Sequence, residues 1–169
     1  MSRAVHADAM THYWLMKSEP NACSIDDALA APQHTLPWTG VRNYQARNFM
    51  RDGMRLSDGV LFYHSSCPEP GIVGVARVAS ATRPDPTQFD KKSPYFDAAS
   101  KPDAPRWLLL DVQALRKTRL LALPELRATP ALADLILLRR GNRLSITPVA
   151  DADWHWIVDR MLNPDRNAS

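Results

Sequence analysis

The clearest periodic pattern of apolar and polar positions lies near the C-terminal end of the chain. After Asp151, apolar side chains recur at positions i, i+3, i+4, i+7 and i+8, which are Trp154, Ile157, Val158, Met161 and Leu162. This spacing gathers them on one face of an α-helix. We therefore predict a helix with Asp151 as its N-cap and with that face packed against the core.

Shorter apolar segments typical of strands occur at residues 13–17, 60–64, 71–78, 107–112 and 144–149. The first ends before Pro20, because proline cannot donate to a strand ladder. A turn at Asp58-Gly59 precedes the second, and the third is predicted to be its hairpin partner. Glycines within the third segment indicate a bulge or the close approach of another backbone.

Two helices are predicted from their cap and stop signals. Ser24, with Asp27 three residues later, predicts the N-cap of a short helix that ends by Pro32. Asn43 is predicted to cap a second helix, and Gly53 to end that helix in a left-handed conformation.

The middle of the chain has a weaker pattern. Residues 83–106 contain five prolines and balanced charge, and strand patterning resumes directly after them. We expect a long surface loop there rather than a linker between domains. The segments 124–126 and 131–138 are predicted to be helical, with Gly141 as the stop signal.

Strands and short helices thus alternate irregularly, with hairpins in place of regular βαβ units. This order predicts an α+β fold on a curved, mostly antiparallel sheet with flanking short helices, for which a closed β-barrel is one solution. With 169 residues, of which 45% are apolar, the chain suits one hydrophobic core. We assign a single domain to residues 12–163 and expect disordered tails at 1–11 and 164–169.

Composition narrows the classes of function. A net charge of +3 weakly favours a polyanionic partner. The two cysteines and five histidines lack the spacing of a zinc or redox site, so we expect free thiols, no metal and no cofactor. The N-terminal residues lead into no apolar signal segment, and the longest aliphatic run, 135–138, is too short to span a bilayer. We expect a cytoplasmic monomer without a membrane partner.

The arginines form two clusters with few acids nearby. One contains Arg42, Arg47, Arg51 and Arg55, and the other contains Arg139, Arg140 and Arg143. Either cluster can be a solvated helix face or a surface that binds phosphates, and the pattern alone leaves both interpretations open.

Catalytic signatures are missing from the sequence. The chain contains no GxSxG, HExxH, GxxxxGK[ST] or GxGxxG motif. His64 could be combined with Ser65 or Cys67, but neighbours on a strand point to opposite faces, which spoils the geometry of an adjacent pair. We predict a non-catalytic protein and keep an enzyme that uses His64 as an acid or base on a nucleoside or small metabolite as the alternative.

Residues 38–44 (WTGVRNY) and 62–66 (FYHSS) combine aromatic, guanidinium, amide and imidazole groups in two short segments. A nucleobase site needs such groups, since an aromatic ring meets the π-face while donors and acceptors read the edge. Trp38 is either a partly exposed platform or a core residue. Arg42 either binds a phosphate or base edge or forms an ion pair with Glu19.

The segments at 13–20, 38–48, 62–65, 71–75 and 143–149 resemble the EVE domain family, in the family's order. The resemblance implies a PUA-like fold, a curved β-barrel with flanking helices, related to the YTH and ASCH domains. It further implies a metal-free, non-catalytic pocket that reads a modified, flipped-out base. Cytosine modifications in DNA are the leading candidates, and RNA is the other nucleic acid to consider.

The resemblance assigns a ligand-binding site to four segments, which contribute Lys17, Ser18 and Glu19, then Trp38, Val41, Arg42 and Asn43, then Tyr63, His64 and Ser65, and finally Arg143, Leu144 and Ser145. We expect Trp38 to stack on the base, while Arg47, Arg51 and Arg143 meet phosphates. A protein-interaction domain whose cleft takes a peptide is a further alternative.

This sequence departs from the family pattern at two positions. Thr39 stands where the family usually has an acid, and Ser66 stands where asparagine is common. If the acid reads a base edge, specificity differs here, whereas an acid that only caps a turn would leave specificity unchanged.

Overall fold

Two sheets organise the computed structural model, which describes residues 12–163; the predicted tails lie outside the described residues. The strands are β1 (Tyr13–Ser18), β2 (Thr35–Pro37), β3 (Gly59–His64), β4 (Gly71–Val78), β5 (Arg83–Pro84), β6 (Leu108–Leu109), β7 (Asp111–Ala122) and β8 (Ile146–Val149). Six of them form one sheet in the order β2-β7-β4-β3-β1-β8, and β5 pairs with β6.

The strand pairing confirms an α+β fold on a mostly antiparallel sheet. Only β1 and β3 are parallel neighbours in the described sheets. The closed barrel that was one solution for this pattern is not formed, because β2 and β8 are the edges of an open sheet. These edge strands contain three and four residues, and such short edges offer few unpaired groups for closure.

The α-helices are α1 (Ile25–Ala30), α2 (Tyr44–Asn48), α3 (Leu123–Arg127) and α4 (Asp151–His155). Wider π-type turns extend α2 through Phe49–Gly53 and α4 through Trp156–Met161. Short 3-10 turns occupy Pro32–His34, Pro86–Phe89, Pro130–Leu132 and Ile136–Leu138.

The two predicted N-caps of α1 and α2 are confirmed. The Ser24 hydroxyl accepts from the Asp27 N–H, and the Asp27 carboxylate accepts from the Ser24 N–H. Asn43 Oδ1 accepts from the Ala46 N–H at 3.0 Å. These interactions are local in sequence, so the residue pattern was sufficient to predict them.

Two other terminal assignments were wrong. Ala150 is the N-cap of α4 and Asp151 is its first residue, where an acid still interacts favourably with the helix dipole. Gly53 does not adopt a positive φ, since the described glycines that do are Gly40 and Gly141. Glycine suits position 53 for a steric reason, because an added Cβ would lie 3.0 Å from the Trp14 ring.

Side chains alternate between two hydrophobic cores on opposite faces of the large sheet. In β1, Trp14 and Met16 belong to the first core, under α1 and α2, whereas Leu15 belongs to the second, under α3 and α4. The predicted apolar face of the C-terminal helix packs against the second core, in which Trp154 and Ile157 are buried.

The predicted hairpin of β3 and β4 is confirmed, with a register shift between Phe62 and Tyr63. The glycines of β4 also allow the predicted close approach. A Cβ added at Gly71 would clash with the Leu121 carbonyl oxygen, and one at Gly74 would lie 2.6 Å from Ile25 Cδ1.

Other element boundaries differ from the sequence prediction. The strand predicted at 107–112 is interrupted after Leu109, and β7 then continues to Ala122 through a polar segment without clear alternation. The segment 131–138 forms short 3-10 turns instead of one helix. The 83–106 segment is mainly loop, as predicted, but it buries the polar side chains of Asp85, Gln88 and Ser100.

Candidate nucleic-acid interface

A cavity of about 730 Å³ opens where β1 and β3 end. Because these strands are parallel, their carboxyl ends lie at the same edge of the sheet. The residues that follow them form part of the wall, which is completed by the 37–41 loop, the 143–145 segment and two residues of the long loop. The lining residues are Lys17, Ser18, Glu19, Asn21, Ala22, Cys23, Pro37, Trp38, Thr39, Gly40, Val41, Ser65, Ser66, Pro94, Tyr95, Arg143 and Ser145.

Trp38 lines this cavity and also belongs to the first core. Its side chain is buried, with 6% of its surface exposed, and its ring meets Phe62 edge-on at 5.2 Å between centroids. The backbone N–H of Trp38 donates to the Leu110 carbonyl at 2.8 Å. Of the two alternatives for Trp38, the core residue is therefore correct, and the buried indole forms a fixed wall of the cavity.

Tyr95 is the second aromatic residue of the cavity, and the sequence analysis missed it. Its ring lies against the backbone of Gly40, where φ is +87° and an added Cβ would lie 2.6 Å from ring carbon Cζ. Glycine is required at position 40 for both its conformation and this close approach. The 37–41 loop and the long loop are thus held together across the cavity rim.

Arg42 does not line the cavity, but it holds the residues of the cavity rim in place. Its Nε and Nη2 donate to the Tyr95 carbonyl, Nη1 donates to the Val41 carbonyl and Asp85, and Nη2 also donates to Thr87 Oγ1. All five guanidinium N–H groups therefore have acceptors within the protein. The Glu19 ion pair considered for Arg42 was wrong, since the carboxylate partner is Asp85 at 3.1 Å.

Asp85 is the acid that fixes this loop junction. Its side chain is fully buried, and it accepts from the Gly40 N–H at 2.8 Å as well as from Thr87 and Arg42. Burial disfavours the charged form, but hydrogen bonds from Gly40, Thr87 and Arg42 outweigh it and lower the pKa of Asp85. The carboxylate thus stays ionised beside the guanidinium.

His64 has a structural partner beside the cavity. Its Nε2 accepts from the Ile25 N–H at 3.1 Å, which satisfies a free donor at the start of α1. Burial lowers the pKa of His64, so the neutral imidazole that can accept this bond is favoured. Ser65 lines the cavity, whereas Tyr63 is buried in the second core on the opposite sheet face.

The end of β1 contributes mainly through its backbone and Ser18. The Lys17 N–H donates to the Ser145 carbonyl at 2.8 Å, and the Ser65 N–H donates to the Ser18 carbonyl at 2.9 Å. Strand alternation places the Lys17 side chain on the face of Leu15, and burial lowers the pKa of Lys17. The Ser18 hydroxyl donates to the Cys23 carbonyl.

The structure thus brings together Lys17, Ser18, Glu19, Trp38, Val41, Ser65, Arg143 and Ser145 from the predicted site. The remaining predicted residues lie outside the cavity lining: Arg42, Asn43, Tyr63, His64 and Leu144, together with Arg47 and Arg51 of the α2 region. Arg47 donates to Asn48 and the Arg106 carbonyl, and Arg51 forms an exposed ion pair with Asp52.

Residues 12–160 match the family described as the EVE domain. The chain belongs to the EVE domain family. Mouse thymocyte nuclear protein 1 is 41% identical in an alignment that covers 88% of this chain and 73% of that protein. The identification confirms the resemblance found in the separate sequence segments.

Solved structures extend the comparison of this EVE domain to the fold. Human THYN1, solved in complex with 5-methylcytosine containing DNA, has 40% identity and a TM-score of 0.81, with 88% of this chain and 96% of that chain covered. A crystal structure from Pseudomonas putida has 45% identity and a TM-score of 0.82, with 87% and 97% covered. These matches confirm the PUA-like fold.

The family and its DNA-bound relative indicate a binding domain rather than an enzyme, as predicted. Within residues 12–163 of this EVE domain, no group of three or more His, Cys, Asp or Glu side chains could hold a metal ion. Across the same residues, no helix is both long and apolar enough to cross a membrane.

Proposed function

We propose that this EVE domain binds nucleic acid and accepts a flipped-out 5-methylcytosine of DNA in the cavity between Trp38 and Tyr95. The observation that carries the proposal is this cavity of about 730 Å³, lined by two aromatic residues and by polar groups at the ends of two parallel strands. Its size lies in the range of small-molecule sites, about 300–1,000 Å³. The human relative solved with 5-methylcytosine containing DNA supports the choice of ligand.

The aromatic walls account for a preference for a methylated base. A methyl group transferred from water to contact with an indole or phenol ring gains about 0.8 kcal/mol. Since 1.4 kcal/mol corresponds to a tenfold change in affinity, this gain predicts roughly fourfold tighter binding of the methylated base. The rigid attachment of Trp38 to the core and of Tyr95 to Arg42 reduces the conformational entropy lost on binding.

Polar groups on the wall suit the hydrogen-bonding edge of the base. Ser65, Ser66, Thr39 and Ser145 line the cavity, and their hydroxyl groups can donate or accept. Arg143 lines the same cavity, is exposed, and forms no ion pair within residues 12–163. Of the three arginines predicted to meet phosphates, Arg143 is therefore the best candidate. It lines the cavity, whereas Arg47 and Arg51 do not line it and already have partners within the protein.

The enzyme alternative is less well supported, because His64 already accepts from the Ile25 N–H and does not line the cavity. RNA remains the competing nucleic acid, since a flipped base presents the same faces on either backbone. A cytoplasmic location and a monomeric state stay predictions from the sequence.

The test measures binding of labelled duplex DNA with one central cytosine, 5-methylcytosine or 5-hydroxymethylcytosine, beside matched RNA, by fluorescence anisotropy. We expect roughly fourfold tighter binding of 5-methylcytosine DNA than of unmodified DNA. Tyr95→Ala should remove this preference. Phe96→Ala is the matched control, because Phe96 is the next residue, is 37% exposed and does not line the cavity.

Equal affinity for all cytosine forms in the wild-type protein would refute the proposal of a methyl-base cavity. Tighter binding of the methylated RNA would move the assignment from DNA to RNA. Mass spectrometry of the recovered oligonucleotides provides the check on catalysis, because an altered base would support the enzyme alternative.

A further inference from the structure

A second groove, of about 290 Å³, lies beside the base cavity. It is bounded by Gln45 and Phe49 from the α2 region and by the segment between Ile136 and Pro148. The stretch 142–145 separates the two spaces. Arg143 and Ser145 line the base cavity, whereas Asn142 and Leu144 line the second groove.

Two arginines give this groove its charge. Arg139 and Arg140 line it, and the lining set contains no acid. Within residues 12–163 neither guanidinium forms an ion pair, in contrast to those of Arg42, Arg51 and Arg119. An anionic ligand would therefore not have to displace a carboxylate.

Asn142 lines the same groove and has a side-chain donor without a partner in the described part of the chain. Its Oδ1 accepts from the Leu144 N–H at 3.2 Å, which identifies the other end of the amide as Nδ2. That Nδ2 is buried and has no partner within the described part of the chain. Buried donors of this kind are costly unless an acceptor meets them, and a phosphate oxygen is a strong acceptor.

We propose that the second groove binds the phosphodiester backbone beside the base held in the first cavity, with Arg139 and Arg140 on phosphate oxygens. The identity of this ligand rests on the proposed function. Because the base cavity and the second groove share the 142–145 wall, neighbouring nucleotides of one nucleic-acid strand can occupy both. Arg143 lies between the two spaces. The groove also has apolar lining from Phe49, Leu144 and Pro148. This lining can contact the sugar of a nucleotide, whereas it would not stabilise a free anion.

The test compares Arg139→Ala/Arg140→Ala with wild type, using the same unmodified and 5-methylcytosine duplexes at several salt concentrations. Each phosphate contact contributes about 0.7–0.9 to the slope of log affinity against log salt, so the double variant should lose that amount per contact. The ratio of affinities for methylated and unmodified DNA should not change. Arg116→Ala/Arg127→Ala is the control, because these exposed arginines line neither space.

Asn142→Asp is a second variant that keeps the acceptor for the Leu144 N–H but replaces the Nδ2 donor with a carboxylate oxygen. It should weaken binding of both duplexes by a common factor, and a thermal unfolding measurement checks that the variant folds. A slope in Arg139→Ala/Arg140→Ala equal to that of the control would overturn the inference while leaving the base preference intact. A reduced slope without any base preference would support the groove and refute the methyl-base cavity. Absence of binding in wild type would overturn both.

Discussion

The contact between Gly40 and Tyr95 can be tested by adding a single methyl group. Gly40→Ala places a Cβ where φ is +87° and where the Tyr95 ring carbons lie 2.6–2.8 Å away. Gly141→Ala is the matched control, because Gly141 has a φ of +78° but nothing within 4 Å of an added Cβ. The control thus carries the backbone strain without the steric clash.

The expected magnitudes follow from these two terms. A left-handed conformation costs a non-glycine residue about 1–2 kcal/mol, which applies to both variants. Forcing an extra methyl group into a packed contact typically costs a further ~1–3 kcal/mol. This steric cost applies only at position 40, and it is of similar size if Tyr95 is displaced instead. Gly40→Ala should therefore lower the free energy of unfolding by about 2–5 kcal/mol and Gly141→Ala by about 1–2 kcal/mol.

Urea unfolding of the two variants and of Tyr95→Ala gives the required free energies. In a double-mutant cycle, Gly40→Ala should be less destabilising in the Tyr95→Ala background, because the ring that the methyl group meets is gone. Gly40→Ala should also lose the preference for 5-methylcytosine, since Tyr95 must leave its place. Equal destabilisation at positions 40 and 141, without coupling to Tyr95, would refute this account of the cavity rim.

Three further predictions concern the groups that support the cavity. Arg42→Lys should lower the free energy of unfolding by about 1–3 kcal/mol in urea denaturation, because an ammonium cannot reproduce the five-donor geometry beside buried Asp85. The folded-state pKa of Asp85 is lowered, so its stabilising contribution is present above its unfolded pKa and lost as pH falls through the folded value; Asp85→Asn should remove this acid-dependent part of the stability profile. The pKa of His64 is also lowered, so the neutral form contributes fully above its unfolded pKa of about 6.5, and the contribution is lost progressively as pH falls from there through the lower folded pKa. NMR titration of the imidazole checks this, and a folded pKa above 6.5 would contradict the bond from Ile25.

The parts of the fold that were predicted correctly depend on neighbours in sequence. Ser24 and Asn43 cap helices through residues three positions away, and the apolar spacing of the last helix specifies its buried face. Strand alternation also places Phe62 and Tyr63 on opposite faces of the sheet, and Tyr63 accordingly faces the second core.

The parts that could not be predicted depend on contacts between distant segments. Arg42 and Asp85 are 43 positions apart, and nothing near Arg42 in the sequence distinguishes that acid from Glu19. Tyr95 lies in a proline-rich loop without a period, so no pattern placed it at the rim. For Trp38 the loop position left a partly exposed platform and a core role both open, and the structure shows the core role.

The pairing of β1 with β8 has a consequence for biosynthesis. Met16 pairs with Ile146, and the Lys17 N–H bonds to the Ser145 carbonyl, so residues near both ends of the domain build one wall of the cavity. During translation, β1 leaves the ribosome long before β8 has been synthesised. A nascent chain that stops short of Arg143 therefore exposes an edge of β1 and has an incomplete cavity. The cavity is therefore completed only when the whole domain has emerged.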